Sequence, residues 1–314
     1  MTRLHAAFMR VKRNGGAPGV DGVTIEMYAA NLEQNLAALM YDLKHRGQYH
    51  AHPLRRVYIP KGQGQYRALG IPIVRDRVAQ EVVRALLEPL FEPTFVEDSY
   101  GFRPGRNAHQ AIKAILEAYQ DGAWFVVDAD IDGGQTLRAF FDHLPHNLIL
   151  DRVAEKVADG NILYLLREFL TAEVQTEDGI RHPVDRGTPQ GGVISPLLAN
   201  IVLHVLDTQM IHAGFRCIRY ADDADCSNPV VVLCPSLTSA EQALTLVKQT
   251  VQQLGLSLSP EKTRLTIFYR GFDFLGFHIT SRNRSIRAKS VEKFKKHLTR
   301  MGLVALRDLA LAQV

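Results

Sequence analysis

Residues 124–131, Trp124-Phe125-Val126-Val127-Asp128-Ala129-Asp130-Ile131, are too apolar for a surface segment and too acidic for plain core. Their length suits a strand, whose successive side chains face opposite ways, so Asp128, Asp130 and Asp132 share one face. A buried carboxylate is costly unless a cation or hydrogen bonds meet it. The plain alternative is a strand end fraying into solvent. A second apolar run, 215–218, leads into Arg219-Tyr220-Ala221-Asp222-Asp223. Both of these aspartates can approach one site only if the second lies in a turn. Neighbouring carboxylates repel unless cations sit between them, so the pair suggests divalent metal. An Asp-Asp pair alone more often marks an exposed turn; the apolar strand before it favours the metal reading. One strand ending in carboxylates beside a hairpin carrying two more is what two-metal phosphoryl chemistry requires.

Composition sets bounds around that site. The 314 residues, 46% hydrophobic and 22% charged, can build a substantial core with two or three lobes. No run approaches the length of a membrane span. Positions 1–20 carry charges and glycines where a signal peptide has an apolar core, so the expected location is cytoplasmic, away from membranes. Cys217, Cys226 and Cys234 form no zinc or disulfide pattern. Net charge is +4, and the cations cluster, most densely at Arg282, Arg284, Arg287, Lys289, Lys293, Lys295, Lys296 and Arg300. That cluster reads equally as a grip on a phosphate backbone or as a solvated helix face. There is no Rossmann or phosphate-loop fingerprint and no nucleophile elbow, which leaves a small-molecule enzyme with little support.

Along the chain, 1–24 read as a basic lead-in ending in the turn Asn14-Gly15-Gly16-Ala17-Pro18-Gly19. Helical spacing predicts helices over 27–45, 75–91, 107–119, 148–158, 162–171, 195–212, 240–254 and 291–311. Strands are expected at 55–60 and 66–71 around a turn at 61–65, at 124–131, 215–222, 256–258 and 264–268, with a hairpin at 173–183. Helices mixed with short strands, without βα alternation, favour an α+β fold.

At this point the chain resembles the reverse transcriptases encoded by group II introns and their bacterial retron and CRISPR-associated relatives. The resemblance runs from about Asn14 to Lys296 on ordered blocks. These are Gly15-Gly16-Ala17-Pro18-Gly19-Val20-Asp21-Gly22; Ile59-Pro60-Lys61 with Arg67-Ala68-Leu69-Gly70-Ile71-Pro72; and Asp98-Ser99-Tyr100-Gly101-Phe102-Arg103-Pro104. Asp128-Ala129-Asp130-Ile131, Phe140-Phe141-Asp142, Gly187-Thr188-Pro189-Gln190-Gly191-Gly192 and Tyr220-Ala221-Asp222-Asp223 follow. Pro260-Glu261-Lys262-Thr263 and Phe274-Leu275-Gly276-Phe277 complete the series.

The resemblance implies a right-hand polymerase fold, with fingers and palm built from antiparallel sheet plus helices and a truncated thumb. Its divisions would be 1–24 as lead-in, 25–120 as fingers with the first part of the palm, 121–280 as palm and 281–314 as the start of a thumb. It implies RNA-directed DNA polymerase activity with two Mg2+ ions, or Mn2+ in their place, on Asp130, Asp222 and Asp223. By the same resemblance Lys61 and Arg67 grip the incoming triphosphate. Phe140 crowds a ribose 2′-hydroxyl, and Gln190 contacts the nucleotide sugar and template path beside Gly191. Lys262 gives a proton to pyrophosphate, and Gly276 brings backbone near the primer. The implied partners are an RNA template, a DNA or RNA primer and deoxynucleoside triphosphates, with intron RNA or CRISPR and defence proteins depending on context. The alternative is a maturase-type RNA-binding splicing cofactor with weak or no polymerase activity.

Two stretches depart from the family. Positions 132–139 precede Phe140-Phe141-Asp142 and positions 224–232 precede Leu233-Cys234, each six residues longer than usual. Both are expected beside the metal site and near each other, where Asp132 or Asp225 could add a ligand, or Phe140 could be displaced. His143-Leu144-Pro145-His146 lacks a second pair and does not read as a nuclease or zinc site.

Overall fold

The computed structural model describes residues 1–62, 65–132, 141, 143–188, 191–220 and 228–300, with backbone alone at 61, 62, 65, 67, 132, 228, 297 and 300. The chain opens with helix α1 (Thr2–Asn14), which turns Leu4, Ala7, Phe8 and Val11 inward. Thus the basic lead-in begins as a helix: an apolar stripe at helical spacing hides among Arg3, Arg10, Lys12 and Arg13. Helices α2 (Ile25–Ala30) and α3 (Leu32–Lys44) replace the single helix expected over 27–45, the break falling at Asn31. Strands β1 (Leu54–Gly62) and β2 (Gln65–Ile71) form an antiparallel hairpin, and α4 (Val74–Phe91) and α5 (Ala108–Gln120) follow. Asn107 and Gln110 close a reciprocal capping box at the start of α5.

Next come β3 (Phe125–Asp132), α6 (His146–Ala154), α7 (Gly160–Thr171), β4 (Val174–Gln175) and β5 (Arg181–His182). Helix α8 (Ser195–His212), β6 (Arg216–Arg219), β7 (Asn228–Cys234) and α9 (Leu237–Gln253) complete the central region. The last elements are β8 (Ser257–Leu258), β9 (Arg264–Ile267), β10 (Phe272–Phe274), β11 (Phe277–Ile279), β12 (Arg284–Ile286) and α10 (Ala288–Arg300). Strand β7 and the sheet β10-β11-β12 were not expected from periodicity.

The central antiparallel sheet runs β6-β7-β3, with β8 and β9 one after the other along the far edge of β3. Val127, Ala129 and Ile131 face the large core built with α6, α8 and α9. Val126, Val231 and Ile218 face a second core of α5 residues with Phe268, Phe272 and Phe274. Burial on both faces makes β3 and β7 near-continuous apolar runs. A smaller sheet, β2-β1-β4-β5, carries the first hairpin, and there β4 runs parallel to β1. No helix of the described residues is long and apolar enough to cross a membrane.

Candidate active site

Strand order decides which carboxylates can meet. Asp130 lies opposite Pro229 on β7, and the Tyr220 N–H donates to the Pro229 carbonyl from the other side (3.2 Å). Asp130 and Tyr220 are therefore level with each other at one end of the sheet, separated by one strand. Asp222 and Asp223 follow Tyr220 by two and three residues and lie outside the described residues, as do positions 133–139 and 224–227 of the two long stretches.

Asp130 is not at a fraying end. It is paired within β3, 7% exposed, and its carbonyl accepts from the Ser259 N–H (2.9 Å). That bond fixes the turn Ser259-Pro260-Glu261-Lys262, closed by Thr263 N–H on the Ser259 carbonyl (2.9 Å). The turn lays the Lys262 ammonium on Asp130 Oδ2 at 2.7 Å, while the lysine side chain stays 61% exposed. Two residues earlier on the same face, Asp128 accepts from Arg264 Nε (3.1 Å). Burial pushes the Asp128 carboxyl up to about 6, with Arg264 opposing and the charges of Asp130 and Asp273 adding to the rise. The shared face expected for Asp128 and Asp130 is present, and each carboxylate faces a cation supplied by the chain after β8. A carboxylate that already draws a cation to its oxygen is suited to a hard divalent ion, which takes oxygen ligands. Among the described residues no three potential ligands gather as a metal cluster.

Other segments that carry predicted site residues are tied to one another. The Thr188 N–H donates to the Phe141 carbonyl (2.6 Å) and Gly187 N–H to that of Leu144 (2.8 Å). These bonds join the segments that lead to Phe140 and to Gln190, both outside the described residues. Phe141 is core, edge-on to Phe102 with ring centroids 6.4 Å apart. Gly191 has φ 100°, and a Cβ there would stand 3.0 Å from the Gly70 carbonyl oxygen. Its close approach is to the base of the β1–β2 hairpin. Buried Gln80 on α4 takes the Val193 N–H on Oε1 (2.8 Å), fixing the same loop from behind. Lys61 and Arg67 sit on that hairpin, Arg67 paired with Ile59; their side chains lie outside the description. Gly276 serves a tight turn: Leu275 (φ 49°) and Gly276 (φ 82°) form the two-residue link between β10 and β11 that demands left-handed backbone. His146 Nε2 bonds the Gly187 carbonyl (2.8 Å), a structural role.

Sequence reasoning missed Arg264, Gln80 and a fully buried group around Arg219. Arg264 alone carried a hint, as a cation at a strand start two residues past Lys262.

Similarity to known proteins shows the family. Residues 59–279 match the family described as reverse transcriptase (RNA-dependent DNA polymerase). The chain is 34% identical over 306 residues to Protein YkfC of Escherichia coli (strain K12), covering 85% of this chain and 77% of that protein. It is 37% identical over 204 residues to the group II intron-encoded protein LtrA of Lactococcus lactis subsp. cremoris, covering 65% of this chain and 32% of LtrA. Among solved structures, telomerase from Candida albicans, in complex with a TWJ fragment of telomeric RNA, superposes with a TM-score of 0.56 at 12% identity. That match spans 84% of this chain and 50% of the telomerase chain, a likeness of fold. The family implies a nucleic-acid template, nucleotides and a divalent metal. The chain belongs to the reverse transcriptase family, and residues 59–279 are its RNA-directed DNA polymerase domain.

Proposed function

We propose that this protein copies RNA into DNA by two-metal nucleotidyl transfer, with Asp130, Asp222 and Asp223 as the metal-holding carboxylates. The observation that carries it is Asp130, buried at the sheet end level with Tyr220 and already drawing a cation to its oxygen. Mg2+ bound there would supply the positive charge that activates a primer hydroxyl and steadies the leaving oxygen. The chain's own contribution is positioning and charge. Lys262, most of whose side chain is exposed, can leave Asp130 and hand a proton to departing pyrophosphate. Lys61 and Arg67, on the β1–β2 hairpin, would clamp the triphosphate. Phe140 would crowd a 2′-hydroxyl, and Gln190 with Gly191 would line the sugar and template path. In this reading 25–120 act as fingers with the first part of the palm, 121–280 as palm and 281–314 as the start of a thumb.

Lys289, Lys293, Lys295 and Lys296 on α10, with Arg282 and Arg284 before it, are exposed and supply a surface for the template–primer backbone. The same surface favours the second reading, an RNA-binding splicing cofactor of maturase type. Primer extension on an RNA template separates them, comparing wild type with Asp222→Ala plus Asp223→Ala. Metal-dependent DNA synthesis abolished by the double substitution supports the polymerase. No synthesis by wild type, with salt-sensitive RNA binding retained, supports the cofactor.

A further inference from the structure

Between the sheet and α8 lies a buried polar group that the chemistry above does not use. Arg219, the last residue of β6, is 0% exposed. Its guanidinium donates to both Asp207 oxygens, Nε to Oδ1 (2.9 Å) and Nη2 to Oδ2 (2.7 Å). It also donates to Asn200 Oδ1 through Nη1 (2.8 Å) and to Ser99 Oγ through Nη2 (2.8 Å). Its main chain is held as well: the N–H donates to the Asp98 carbonyl (3.0 Å), and its own carbonyl accepts from the Tyr100 N–H (2.9 Å). Asn200 in turn donates to the Gly101 carbonyl (2.9 Å). The motif Asp98-Ser99-Tyr100-Gly101, without a role so far, thus closes around one residue.

A buried ion pair is a poor way to gain stability, because desolvation offsets attraction and an apolar pair of similar volume commonly holds a core as well. What a forked guanidinium adds is direction. Here the direction applies to the strand whose next residues are Tyr220-Ala221-Asp222-Asp223. Among the described residues β6 is an edge strand, paired with β7 on one side and on the other with only the short bridge at Ser99. The bonds from Asp207 and Asn200 fix its height and rotation against α8.

We propose that Arg219, locked by Asp207, Asn200 and Ser99, is a positioning residue that sets where Asp222 and Asp223 stand relative to Asp130. The inference rests on the two-metal reading. The test uses Arg219→Met plus Asp207→Leu, which replaces the pair with apolar volume, and Arg219→Lys, which keeps the charge and loses the fork. Melting temperature, Mn2+ binding followed by electron paramagnetic resonance, and single-turnover primer extension are measured on each. The double variant should melt at or above wild type, bind Mn2+ more weakly, and extend primers about 100-fold more slowly, the scale of a small misplacement of reacting groups. Affinity for template–primer should be unchanged. Arg219→Lys should show the same losses, and it decides the question where the double variant does not fold. Wild-type Mn2+ affinity and rate in a folded variant would overturn the proposal. A wild-type protein that neither binds Mn2+ nor extends a primer would overturn the two-metal reading itself, a separate outcome.

Discussion

At the scale of single residues, the contact between Lys262 and Asp130 is the one with the most direct chemical consequence. The ammonium rests on the carboxylate proposed to hold metal, yet most of the lysine side chain is in solvent. An exposed partner of this kind adds little to stability, so Lys262→Met should leave the melting temperature nearly unchanged. It should lower kcat and kcat/KM together by about 100-fold, as removal of a proton donor felt only in the transition state would. Pre-steady-state extension with varied nucleotide checks this; a rise in KM with kcat intact would assign Lys262 to ground-state binding instead. Asp130 was legible in the sequence because alternation on a strand and the cost of a buried charge are local arguments. Arg264, Gln80 and Arg219 were not, because each acts on a partner far along the chain. Asp128 and Arg264 are 136 residues apart, Gln80 and Val193 113, and Arg219 and Ser99 120. No spacing rule links such pairs until the fold is known.

At the scale of elements, α1 is the clearest departure from the sequence reading. Its apolar stripe packs on α3 and α4, and Arg10 reaches buried Glu81 at 2.9 Å. Phe8, 2% exposed and stacked near Tyr28, anchors it. Phe8→Ala should cost about 3–5 kcal/mol, read as a lower urea midpoint; a loss near zero would mean that α1 contributes nothing to the fold. The glycine-rich turn after α1 is equally structural. Arg77 donates to the carbonyls of Gly15 and Ala17, and a Cβ on Gly19 would stand 2.7 Å from the Ile73 backbone. Helices α4, α5, α8 and α9 were legible because each is long and one-sided or wholly apolar. Strand β7 was hidden by Pro229, a residue that argues against a central strand. It is tolerated because it sits at the strand's end, where the ladder to β6 stops at Tyr220.

For the molecule as a whole, one core runs without interruption from α1 through α9, so the expected lobes share their apolar interior. Unfolding should be correspondingly cooperative. Two half-buried histidines link it to pH. Burial lowers both His146 and His204 from their ordinary value of 6.5. Below that value the unfolded chain takes up protons that the folded one refuses, so the contribution of these two is full above about 6.5 and falls as pH drops below it, against the opposite pull of Glu81, Glu88, Asp128 and His52, whose values are raised. His204 is edge-on to Phe95, and its Nδ1 has no hydrogen-bond partner among the described residues. His204→Leu should therefore raise the urea midpoint at about pH 5 relative to that at about pH 7, compared with wild type; an unaltered difference between the two would mean that His204 does not couple folding to pH. The β1–β2 hairpin carries a different kind of consequence. Its root is pinned by Arg55 Nε on the Pro18 carbonyl (2.9 Å), by Leu54 N–H on the Glu173 carbonyl (2.7 Å), and by Gly191 wedged against Gly70. With the root clamped on three sides, the backbone at Ile59 and Arg67 takes its heading from contacts far along the chain. A side chain added at Gly191 would therefore tilt the hairpin as well as its own loop.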